Sequence, residues 1–151
     1  MKFLLDSMLG KLAKWLRIMG YDTYYQPKYK LWQLYRLSED RIFVTKNKRL
    51  YSKLNGILLS SDKVGEQIIE LKEKLQLDPN TENFFTRCII CNEELIKAPL
   101  ELAQESVPEY IFLENRDKIR YCPSCNRFYW PGTHRGNMLK KLKEWGIILQ
   151  P

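Results

Sequence analysis

The chain has 151 residues, 44% of them apolar, and carries 25 Lys and Arg against 18 Asp and Glu, a net charge of +7. That length suits one compact domain with a small appended module, able to bury a core without disulfide staples. No run approaches the ~20 apolar residues that a membrane span needs, so none is expected. The basic excess favours polyanionic partners, RNA or DNA, with an ordinary solvated surface as the alternative.

In chain order, Lys2-Phe-Leu-Leu5 is a short apolar strand that stops at Asp6. An acid this early leaves no room for a secretory signal, so the chain is expected in the cytoplasm with its cysteines as thiolates. Leu9, Leu12, Ala13, Leu16 and Met19 recur at helical spacing, and Gly20 is placed to end that helix. Thr23-Tyr-Tyr25 reads as a second strand, Leu31 to Leu37 as a short helix, and Arg41-Ile-Phe-Val-Thr45 as the clearest strand. Gly56-Ile-Leu-Leu59 supplies a fourth strand, and Val64, Ile68, Leu71 and Leu75 mark a helix after it. Short apolar strands alternating with helices predict a parallel sheet covered on both faces, a small α/β sandwich over residues 1–80. The polar, turn-prone stretch from Asp78 to Asn83 reads as the boundary to a second domain, residues 81–151. A basic helix from about Arg135 to Trp145 ends the chain.

The second domain carries all four cysteines, in the pairs Cys88-Ile-Ile-Cys91 and Cys122-Pro-Ser-Cys125. Each Cys-x-x-Cys turn aims two sulfurs at one ion, and two such turns complete a tetrahedral zinc site with no open position. Its role is therefore folding rather than chemistry. Asn92 and Asn126 follow the second cysteine of each pair, where a tight turn favours left-handed backbone. The competing readings are free buried thiols and a thioredoxin-like redox pair, but the redox motif normally occurs once, at a helix start. Ile119-Arg-Tyr121 and Arg127-Phe-Tyr129 are expected to form hairpin arms around the second turn, and the 30 residues between the pairs to carry structure of their own.

Ligands of open α/β sheets bind beyond the carboxyl ends of the strands. Asp6 and Asp62 follow the first and fourth strands, and Asp22 stands at the start of the second. Gathered together, such carboxylates would hold Mg²⁺ or Mn²⁺ and activate water for phosphodiester cleavage. The alternative is that Asp6 or Ser7 caps the first helix, Asp62 caps the helix after the fourth strand, and Asp22 is an exposed turn acid.

Phe3-Leu-Leu-Asp-Ser-Met-Leu-Gly-Lys-Leu-Ala-Lys-Trp-Leu-Arg17, followed by Gly20-Tyr-Asp-Thr23, Arg41-Ile-Phe-Val-Thr45 and Ser61-Asp62, resembles the Mut7-C family of PIN-like ribonuclease domains. The resemblance resumes at Phe85-Thr-Arg-Cys88 and at Cys122 through Tyr129-Trp-Pro-Gly-Thr-His134. It implies a PIN-like three-layer sandwich joined to a small zinc-ribbon module, and metal-dependent cleavage of RNA. Asp6, Asp22 and Asp62 fall on acidic positions of the family. Where the family usually has an acid after the third strand, this chain has Asn47, which offers a neutral oxygen at the site's edge. A second departure is the run from Gln26 to Leu31, where the family usually opens its second helix with an acid.

Basic and aromatic groups suggest where RNA would lie. Lys11, Lys14 and Arg17 fall at i, i+3 and i+6 and are expected to form a stripe opposite the apolar face of the first helix, and Lys46, Lys48 and Arg49 follow the third strand. Arg127 and Trp130 join charge to an aromatic surface suited to unpaired bases. His134, the single histidine, is read either as a phosphate contact or as a packing residue at the start of the last helix. The leading expectation is a metal-dependent ribonuclease, and the alternative a non-catalytic protein that binds tRNA or ribosomal RNA.

Overall fold

A computed structural model describes residues 1–148; the last three residues of the expected second domain lie outside them. The chain divides into two compact units, Met1–Asn92 and Glu93–Pro151. In the first unit, strands and helices alternate as β1 (Lys2–Leu5), α1 (Gly10–Ile18), β2 (Asp22–Tyr25), α2 (Leu31–Leu37), β3 (Ile42–Thr45), α3 (Lys48–Leu54), β4 (Ile57–Leu58) and α4 (Val64–Leu75). The strands form one parallel sheet in the order β2-β1-β3-β4.

Phe3, Leu4 and Leu5 are all buried, as a strand covered on both faces requires. Leu4 and Phe43 face α2 and α3, where Leu34, Leu37, Leu50 and Leu54 pack on them. Strand alternation turns Phe3 and Leu5 the other way. On that side α1 packs against β2 and α4, and the two helices bury Leu12, Leu16, Ile68 and Leu71.

Helix α3 has no counterpart in the hydrophobic pattern. Its sequence Lys-Arg-Leu-Tyr-Ser-Lys-Leu buries no residue fully, and its inward face is only the pair Leu50 and Leu54, too short a pattern to announce a helix. Asn47 starts it instead, by capping its first turn.

The first unit also extends past residue 80. Gly20 has φ of +91°, and a Cβ there would lie 2.3 Å from the Asn83 carbonyl oxygen, so only glycine permits this approach. The Phe85 N–H donates to the Ile18 carbonyl at 2.8 Å. The polar stretch around Asn80 is thus a tight turn laid on the α/β unit, and the first Cys-x-x-Cys turn belongs to that unit.

The second unit has a three-stranded antiparallel sheet, β5 (Ile96–Lys97), β6 (Arg120–Cys122) and β7 (Arg127–Tyr129), with helices α5 (Leu100–Ser106), α6 (Glu109–Asn115) and α7 (Thr133–Glu144). Helices α5 and α6 fill the long interval between the cysteine pairs. Ala98, Ala103, Val107, Ile111, Phe112 and Ile119 form its core, against which Tyr121, Phe128 and Trp130 pack.

Candidate functional site

Asp6 stands where β1 ends. Because Leu5 is paired with Val44, the next residues, Asp6 and Thr45, fall side by side at the carboxyl end of the sheet. Asp6 is only 5% exposed. Its Oδ2 accepts from the Thr45 hydroxyl and its Oδ1 from the Ser7 N–H, both at 2.7 Å. It does not cap α1, whose N-cap is Leu9 with no side-chain hydrogen bond. The chain leaves β1 towards one face of the sheet and β3 towards the other, so Asp6 occupies the switch point where α/β sheets open a crevice. Tyr29 supports the same corner: its hydroxyl donates to the Leu5 carbonyl at 2.8 Å and accepts from the Gln26 N–H at 2.8 Å. Burial, with the negative charge of Asp6 among the lesser causes, pushes the Tyr29 phenol well above its ordinary pKa, so it remains a donor.

Lys46 follows Thr45 and forms an ion pair with Asp62. The Asp62 side chain is 89% exposed. It does not cap α4, whose N-cap is Lys63. Lys48 and Arg49 are exposed on the first turn of α3. Asn47 departs from its expected role, because its Oδ1 accepts from the backbone N–H groups of Arg49 and Leu50 at 2.9 and 3.1 Å. That oxygen is committed to the helix and does not complete the site's edge.

Asp22 does not join Asp6. It pairs with Lys2 at the opposite end of the sheet, four residues or about 13 Å along the strand at ~3.3 Å per residue. Its carboxylate accepts from Arg41 Nη1 at 2.8 Å and from Asn92 Nδ2 at 2.7 Å. The Asn92 Oδ1 in turn accepts from the Thr23 N–H at 2.9 Å, so Asp22 anchors the residue that closes the first cysteine turn. Burial opposes ionisation of Asp22, but the hydrogen bonds from Asn92 and Arg41 and the charge of Arg41 outweigh it and hold the carboxyl below its ordinary value.

A lowered carboxyl pKa stabilises the fold fully above its unfolded value of 3.8, and the contribution disappears as pH falls through the lowered folded value. Asp22→Asn is therefore expected to cost about 1.5–3 kcal/mol at pH 7, the range for a hydrogen-bonded charge. Urea midpoints taken from pH 7 to pH 3 should show the gap between the two proteins closing below about pH 4. A gap that stays constant across that range would mean that Asp22 is not held as described.

Arg17 also departs from its expected place. At 100° per residue, positions 11 and 17 lie about 240° apart around a helix, so they do not share one stripe. Arg17 is buried, donating from Nε to the Thr23 carbonyl at 3.0 Å and from Nη1 to the Ile89 and Ile90 carbonyls at 3.0 and 3.1 Å. Lys11 and Lys14 are exposed.

The four cysteine sulfurs lie within 4.8 Å of one another. A tetrahedral ion with Zn–S bonds of ~2.3 Å sets its sulfurs about 3.8 Å apart, so the group fits a metal such as zinc. Both turns are built alike. Asn92 and Asn126 have φ of 76° and 54°, and their N–H groups each donate at 2.9 Å to the first cysteine's carbonyl. Among the described residues this is the one group of three or more His, Cys, Asp or Glu side chains placed to share an ion, so Asp6, Asp22 and Asp62 form no such cage. Of the other residues expected to meet RNA, Arg127 and His134 are exposed, and Trp130 is half-buried against the second unit's core. Residues that the hydrophobic pattern missed are Thr45, Tyr29, Arg41 and Asn92 in these contacts. The one signal was the asparagine after each cysteine pair.

A parallel α/β sheet with a buried acid at its carboxyl end, followed by a four-cysteine module compatible with a zinc ribbon, defines the class of protein. The chain belongs to the Mut7-C RNAse domain family, whose profile matches residues 1–142. Membership points to a ribonuclease-like function and to RNA as partner. No curated protein and no solved structure matches the chain. No helix among the described residues is long and apolar enough to cross a membrane.

Proposed function

We propose that the protein hydrolyses RNA phosphodiester bonds in the cytoplasm, at the carboxyl end of a PIN-like sheet, with Asp6 at the centre of the site. The observation that carries this reading is the nearly buried Asp6 carboxylate at the switch point, held by Thr45 and Ser7. Asp6 and Asp62 are hard oxygen donors, and Mg²⁺ is commonly held by one or two carboxylates together with substrate phosphates. Such an ion activates water and offsets charge on the phosphate oxygens. Thr45 and Ser7 fix the orientation of Asp6, while Lys46, Lys48 and Arg49 draw the phosphate to the sheet edge. Asp22 serves the fold instead.

The test is cleavage of single-stranded and structured RNA by the zinc-loaded chain with Mn²⁺. Asp6→Asn should lower the rate at least about a hundredfold, as loss of a group acting on the reaction does, with RNA binding retained. A second reading, a non-catalytic binder of tRNA or ribosomal RNA, draws on the commitment of Asn47 to its helix and of Asp22 to Arg41. Salt-sensitive RNA binding without any cleavage by the wild-type chain would replace the enzyme with that binder.

A further inference from the structure

Helix α2 has two faces of opposite character. Leu34 and Leu37 face inward on Leu4 and Phe43. Outward, Trp32 is 58% exposed and Tyr35 46% exposed. Three residues apart on a helix, they lie on one side. Two large aromatics left in water on a helix that has already supplied its core contacts need a partner to account for them.

Charge identifies that partner's chemistry. Lys28, Lys30 and Arg36, neighbours of the two rings in sequence, are exposed, and residues 28–53 carry eight Lys and Arg, two of them ion-paired with Asp22 and Asp62, against two acids, Glu39 and Asp40. Tyr110 and Leu113, also exposed, share α6 with Glu109 and Glu114, whose charges repel phosphate. Rings interleaved with cations suit unpaired nucleotides, since bases stack on the rings while phosphates meet the cations. The loop before α2 is fixed to the site, because Tyr29 donates to the carbonyl of Leu5, the residue before Asp6.

We propose that the outward face of α2, Trp32 and Tyr35 with Lys28, Lys30 and Arg36, is a stacking platform for single-stranded RNA that delivers the strand to Asp6. The delivery rests on the proposed hydrolysis; the platform itself does not. At this surface RNA is selected by lack of pairing, because a base must be unstacked from its neighbours to lie on an indole.

The experiment measures binding of a fluorescent unstructured oligouridine and of a duplex RNA to the full zinc-loaded chain. Trp32→Ala should weaken oligouridine binding about 5- to 150-fold, Tyr35→Ala should weaken it in the same direction, and Trp32→Phe should recover most of the loss. Duplex binding should change less than threefold, and melting temperatures should stay close to wild type because both residues are exposed. Oligouridine affinities unchanged in Trp32→Ala and Tyr35→Ala would overturn the proposal. So would a loss of self-association in sedimentation with RNA binding intact, which would make the face a contact between copies. Asp6→Asn in the same assays separates the two claims. Lost cleavage in Asp6→Asn beside normal binding by the Trp32 and Tyr35 variants would leave the hydrolysis standing and remove the platform. A wild-type chain that binds through Trp32 but never cleaves would do the reverse.

Discussion

Removing the metal from the four cysteines should unfold the second unit. One cluster of six buried side chains, two of them alanines, backs its sheet, and a single core in a module of fewer than about 70 residues rarely supplies more than about 3–5 kcal/mol. Apparent binding energies of structural zinc in small peptides are about 10–16 kcal/mol at neutral pH, as large as the whole stability of a typical domain. Cys122→Ser should have the same outcome, since Cys122 is both a buried ligand and the last residue of β6. Elemental analysis should find one zinc per chain. Addition of a strong chelator should abolish the near-ultraviolet signal of Tyr121, Phe128 and Trp130, and returning zinc should restore it. The sheet of the first unit has its own core on both faces and should keep its secondary structure in the chelated protein. A chelated chain with no zinc and an unchanged melting curve would refute a structural role for the ion.

The parts of this fold that can be read along the chain are those written in local chemistry. The strands at Lys2–Leu5 and Ile42–Thr45 and the helices at Gly10–Ile18 and Val64–Leu75 follow from apolar periodicity. The left-handed Asn92 and Asn126 follow from their place after a cysteine pair. Asp6 is legible because it closes a strand, and the crevice of an α/β sheet opens at that end. Asp22 opens a strand, and in a parallel sheet all strand starts lie together at the far end, so grouping it with Asp6 conflicted with the very topology expected. Arg17 falls three residues after Lys14, yet three-residue steps drift around a helix of 3.6 residues per turn. Turn-prone composition near residue 80 marks a reversal of the chain, and the first packed unit continues to Asn92. Gly20, 63 residues before Asn83, is what keeps that reversal on the first unit. Contacts of this kind involve side chains distant in sequence, and no local pattern encodes them.

Arg17 carries the second large effect, because one guanidinium holds three carbonyls from two places in the chain. Nε takes Thr23 on β2, and Nη1 takes Ile89 and Ile90 inside the first cysteine turn. Burial lowers the guanidinium's pKa, and the negative charges of Cys91 and Cys88 oppose that shift, so the cation lies within the field of two cysteines of the group placed to hold a metal. Arg17→Met keeps most of the volume and removes every donor. A buried acceptor left without a partner costs about 1–3 kcal/mol, and of the three only the Thr23 carbonyl is fully buried, so the first unit should lose at least about 1–3 kcal/mol, read as a lower urea midpoint. Zinc affinity, read by competition with a chromogenic chelator, should fall about 10- to 100-fold, the usual effect of removing a group that orients metal ligands. Arg17→Lys discriminates charge from geometry. An ammonium is a point charge and cannot send one donor to β2 and another to the cysteine turn, so the lysine variant should recover less than half of either loss. If Arg17→Lys matched the wild type in both measurements, charge alone would suffice and the fork geometry would be irrelevant. Lys11→Ala and Lys14→Ala, on exposed positions of the same helix, should leave both quantities unchanged and so isolate the buried member of the three.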